Sequence, residues 1–175
     1  LYTMHGSNDL SDVWGYVDPS GEEYAIVGLE NGTSICHVTM PGPVTEVFWE
    51  PGMSSIWRDM KVWNDHAFIT TEALNGLLVI DLSTLSGATP VALSVSYYTG
   101  PTGFEWQSAH NLFIDENGVC YIFGANRDTG GCIMLDVTDP SNIVELGAIE
   151  DWYVHDGVAK NDTLYMAHIN DGFFT

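Results

Sequence analysis

Four polar residues recur in one register, Asp12, Asp59, Asn111 and Asp156, spaced 47, 52 and 45 positions apart. Each has a chemically capable neighbour: Trp14 follows the first, Arg58 precedes the second, and His110 and His155 precede the third and fourth. Gathered at one place, the carboxylates would hold a hard divalent cation such as calcium. His110 and His155 together with Asp59 and Asp156 would instead suit a softer metal. A histidine beside an aspartate also supplies an acid–base pair for a hydrolase or lyase. A plainer reading stands beside these. A polar side chain repeated once per structural unit commonly bonds the main chain of the neighbouring unit and stabilises the repeat. On that reading Arg58 and Asp59 form an ion pair across the ring of such residues.

The elements that must position these residues are short strands. Around each recurring position the chain repeats three β-prone runs, for example Trp57–Val62, His66–Thr70 and Leu77–Ser83 in the second unit. A fourth run follows in the first three units, at Val44–Trp49, Pro90–Val95 and Ile143–Ile149. The connectors are turn chemistry: "WNDH", "DENG" and "KND" between first and second strands, "ALNG" and "INDG" between second and third. Asn-Gly and Asp-Gly supply the positive φ that tight hairpins require. No long amphipathic helical period interrupts the pattern. Four-stranded antiparallel units of about 45 residues predict an all-β chain, a β-propeller in preference to a β-sandwich.

The expected blades span about 11–50, 56–100 and 108–150, with an incomplete fourth over 153–175. Closed propellers use roughly four to eight blades. Three and a half blades are therefore expected to be a fragment of a larger propeller, or to self-associate through open blade edges. The first strand of a propeller blade lines the central channel. Asp12, Trp14, Arg58, Asp59, His110, Asn111, His155 and Asp156 should then meet around one channel mouth, rimmed by the loops between second and third strands. Phe104 and Trp106, in the longer "GPTGFEWQ" insertion, precede that mouth in the third blade and are candidates to contact a glycan or peptide. Asp18, Asp115, Asp81 and Asp136 read as turn and cap residues.

Bulk properties narrow the partners. The formal net charge is −20, with only four lysines and arginines. Nucleic-acid binding depends on Lys and Arg neutralising phosphates, so that partner class is excluded. An anionic membrane surface is disfavoured on the same ground. No apolar run is long enough to form a transmembrane segment. Cys36, Cys120 and Cys132 show neither CxxC nor zinc-finger spacing, and pairing of the third blade's hairpin would set Cys120 opposite Leu135.

"LLVIDLS" at 77–83 and "IMLDVTDPSN" at 133–142 resemble the LVIVD repeat. The longer order of motifs, from "DVWGY" through "HAFITTEA" and "SAHNLFID" to "VHDG", is similar to the choice-of-anchor B family of surface proteins. The resemblance implies a secreted or cell-surface β-propeller without an established catalytic activity. It implies a non-enzymatic binding or scaffold module whose partners are extracellular proteins, peptides or glycans.

Overall fold

The computed structural model describes residues 4–6 and 9–175. Among them there is no helix, and fifteen strands form four antiparallel sheets, none closed on itself. The first sheet contains β1 (Leu10–Val17), β2 (Glu23–Leu29), β3 (Gly32–His37) and β4 (Thr45–Pro51). The second contains β5 (Arg58–Trp63), β6 (His66–Thr71), β7 (Leu77–Asp81) and β8 (Val95–Tyr98). The third contains β9 (Asn111–Ile114), β10 (Val119–Phe123), β11 (Cys132–Asp136) and β12 (Val144–Ile149). The last has three strands, β13 (Asp156–Lys160), β14 (Thr163–His168) and β15 (Gly172–Phe174). Strand order follows chain order in every sheet, so each is a simple meander.

Turn chemistry sets these hairpins. Asn64-Asp65 and Asn161-Asp162 both adopt positive φ (45° and 57°, 50° and 58°), the geometry of a two-residue primed turn. Asp18 accepts bonds from the Ser20 and Glu22 amides, and Asp115 from those of Asn117 and Val119. Asp81 and Asp136 accept from the Ser83 and Thr138 amides two residues on. These short side chains satisfy turn donors that the sheet ladder leaves open.

Side chains alternate across a strand, so a sheet with apolar residues at both parities must be covered on both faces. The second sheet shows this directly. Ala67, Ile69, Leu78 and Ile80 pack with Tyr16, Tyr24, Ile26 and Ile35 of the first sheet. Phe68, Leu77 and Val79, at the opposite parity, pack with Leu112, Cys120, Ile122 and Leu135 of the third. The third sheet in turn covers the last through Phe123, Cys132, Val154 and Met166. First strands lie side by side, β1 against β5, β5 against β9 and β9 against β13.

Two expectations are corrected. The second unit's fourth strand is Val95–Tyr98, not Pro90–Val95. Pro90 has no amide to donate to a ladder, and the next residue turns to the neighbouring sheet instead, Val91 donating to the Val47 carbonyl at 3.0 Å. Trp106 is 1% exposed and belongs to the core between the second and third sheets, so it offers nothing to a glycan. Phe104 is exposed, with the Arg127 guanidinium 5.9 Å from its ring. The three cysteines are free and buried, with Cys120 opposite Leu135, and burial pushes all three thiols up.

Phe68 is fully buried between two sheets. Phe68→Ala is expected to cost about 3–5 kcal/mol, because cavity and transfer terms add in a core that cannot collapse. Urea unfolding followed by tryptophan fluorescence measures it. A loss below about 1 kcal/mol would mean that the two sheets do not share this core.

Candidate functional site

The free edges of the four first strands border one open cleft of about 610 Å³. Asp12 and Trp14 come to it from β1, Arg58, Asp59 and Lys61 from β5, Asn111 from β9 and Asp156 from β13, with His110 just ahead of β9. Seven of the eight residues singled out from sequence therefore line one cavity. His155 is absent from its lining, but its ring lies 4.2 Å from that of His110.

An edge strand carries unpaired main-chain groups, and here Ser11 and Asp59 satisfy some of them across sheet boundaries. Ser11 Oγ donates to the Arg58 carbonyl at 3.0 Å and accepts from the Arg58 amide at 2.8 Å. Asp59 Oδ1 accepts from the Met60 amide at 2.9 Å and from Lys61 Nζ at 2.7 Å, while Oδ2 accepts from the Leu112 amide of the third sheet at 3.0 Å. Tyr16 adds a hydroxyl bond to Asp65 at 2.8 Å. Loops between second and third strands meet the entry of the following sheet in the same way. The Ser55 amide donates to the Glu30 carbonyl, and the Val154 amide to that of Gly130.

The Arg58–Asp59 ion pair does not form. Adjacent residues of a strand point to opposite faces. The Arg58 guanidinium donates instead to the carbonyls of Leu29, Glu30 and Met53, tying the β2–β3 loop to the second sheet. Lys61, two residues from Asp59 and on its face, takes the ion pair, with its ammonium 4.6 Å from the Trp14 ring centroid. Lys61 went unnoticed in the sequence, although the two-residue period of a strand and the scarcity of bases both marked it.

Asp59 is buried at this junction. Burial first, and then a hydrogen bond shared with Asp12, push its carboxyl up to about 6 against the pull of Lys61 and the Leu112 amide. His110 is engaged at its other end, its Nδ1 2.7 Å from Glu72 Oε1 of the β6–β7 loop. The proposed metal set His110, His155, Asp59 and Asp156 does not come together as a cage. Among the described residues no three His, Cys, Asp or Glu side chains converge to hold a metal ion, since Asp59 is turned into the sheet junction and His110 toward Glu72. No described helix is long and apolar enough to cross a membrane.

No family model, no curated protein and no solved structure matches the chain.

A carboxyl whose folded value lies above its ordinary 3.8 contributes stability that is complete below that value and is lost as the pH rises through about 6. Asp59→Asn keeps an acceptor for the Leu112 amide and removes the titration. The unfolding free energy of the protein relative to Asp59→Asn should therefore fall between pH 5 and pH 8, by about 1.4 kcal/mol. Urea titrations of both proteins at the two pH values measure this. A difference independent of pH would show that Asp59 ionises normally.

Proposed function

We propose that the four sheets are successive blades of a β-propeller, and that the chain is a non-enzymatic binding or scaffold module acting outside the cell or at its surface. One observation carries the reading: four first strands present their edges to a single cleft, in which Ser11 and Asp59 bond the main chain of the next sheet. Side chains so engaged hold a platform together and do not have to move for chemistry. The LVIVD-like motifs support the propeller and the surface setting. The net charge of −20 agrees with a soluble, exposed protein.

The part of the cleft left to a partner is amphipathic. Trp14 is 40% exposed, with Asp12, Asn111 and Asp156 beside it in the lining. An indole face flanked by amide and carboxylate groups suits an extracellular peptide, protein loop or glycan. A metal-dependent hydrolase or lyase is the second reading, favoured by the Glu72–His110 hydrogen bond and the adjoining His155 ring.

Peptide and glycan arrays probed with the protein and with Trp14→Ala test the binding reading. Signals retained by the protein and lost by the variant are expected, and identical profiles would exclude the cleft. Metal analysis separates the two readings. Less than one equivalent of any transition metal is expected, with His110→Ala shifting Tm by no more than about 2 °C, as for a partly exposed polar contact. One equivalent of metal that His110→Ala removes would replace the scaffold reading with the hydrolytic one.

A further inference from the structure

We infer that the mouth of the cleft, between the second and third sheets, seats the ammonium or guanidinium of a lysine or arginine side chain from an extracellular peptide. This rests on the binding-module reading above and names what the module binds.

The cleft already holds one cation of its own. The Lys61 ammonium lies 4.6 Å from the Trp14 ring centroid and 2.7 Å from an Asp59 carboxylate oxygen. An indole face with a carboxylate beside it attracts an organic cation twice, the ring through its negative face and the acid through its charge. Near the mouth the pairing recurs. Trp57, just ahead of β5, and Glu72, in the β6–β7 loop, are joined by a main-chain bond in which the Glu72 amide donates to the Trp57 carbonyl. Both converge on His110: the Trp57 ring centroid is 5.9 Å from that of the imidazole, and Glu72 Oε1 is 2.7 Å from Nδ1.

This second pair is open to a partner. Trp57 is 52% exposed and the Glu72 side chain 45%. Ile56, exposed beside Trp57 in the lining, gives the aliphatic stem of a long basic side chain an apolar wall. Tyr153 stands close by, its hydroxyl pushed up by burial and then by the Glu72 carboxylate. The second and third sheets are each flanked by others, and the place they form lies away from either end of the chain.

Charge selects what enters. Each of the four basic side chains is engaged elsewhere: Arg58 on main-chain carbonyls, Lys61 on Asp59, Arg127 on Glu145 and Glu150, and Lys160 on Glu116. An acidic ligand would meet Glu72 without a base to offset the repulsion. A basic one is drawn in by the field of a protein whose net charge is −20.

Fluorescence anisotropy of the full chain with labelled tetra-lysine, tetra-glutamine and tetra-glutamate tests this. Tetra-lysine is expected to bind and the other two are not. Trp57→Ala and Glu72→Gln should each weaken tetra-lysine by about 5-fold, with unchanged circular dichroism. Glu116→Gln removes the same charge at the β9–β10 turn, at the opposite end of the strands, and should change binding by less than about 2-fold. Four results overturn the inference: equal binding of tetra-lysine and tetra-glutamine, no effect of Trp57→Ala, equal weakening by Glu72→Gln and Glu116→Gln, or binding abolished by EDTA, which would give the place to a metal. Array signals lost with Trp14→Ala but confined to neutral or acidic peptides, or to glycans, would overturn the cation alone and leave the binding module standing.

Discussion

Two-sided burial is the constraint on which the rest of this structure depends. A meander of three or four strands with apolar residues at both parities has no stable face to show water. Ala67 and Ile69 need the first sheet while Phe68 between them needs the third. Stacking therefore follows from the sequence of β6 alone, and it fixes the order of neighbours along the chain. Once the sheets stack, their first strands fall side by side, and the cleft is the space those edges enclose.

The cleft is thus a by-product of packing that acquires polar character from a separate need. Edge strands expose amides, and Ser11 and Asp59 reach across to satisfy them. Satisfying them with a carboxylate buries a charge, which Lys61 offsets while resting on the Trp14 indole. Such a charge–aromatic contact is worth more where water is excluded. Gly157 serves the same closeness: a Cβ there would lie 2.7 Å from the Phe123 ring. The small residue in β13 lets the third and last sheets approach.

What the sequence made legible is local or periodic. Asn64-Asp65 and Asn161-Asp162 turn as their residue types require, and the spacing of Asp12, Asp59, Asn111 and Asp156 places all four in one cavity. What it concealed depends on direction. Arg58 looked like a partner for Asp59 only because the two are adjacent in sequence, whereas strand geometry separates them. Trp106 lay in an apparent surface insertion, yet its ring fills the space between two sheets. The strand beginning at Val95 was misplaced because the preceding segment is apolar for another reason, with Leu85 and Val91 packed against the first sheet's core.

The three inter-sheet cores are unequal. Among the described residues, twelve buried ones join the first sheet to the second and twelve the second to the third, whereas four join the third to the last. A stack in which each layer touches only its neighbours behaves as a one-dimensional chain of coupled units, each stabilised by its interfaces. Cooperativity in such a chain is set at its thinnest junction. The last layer should fray in native-state hydrogen exchange while the other three remain locked, because β14 can open without disturbing the packing around Phe68.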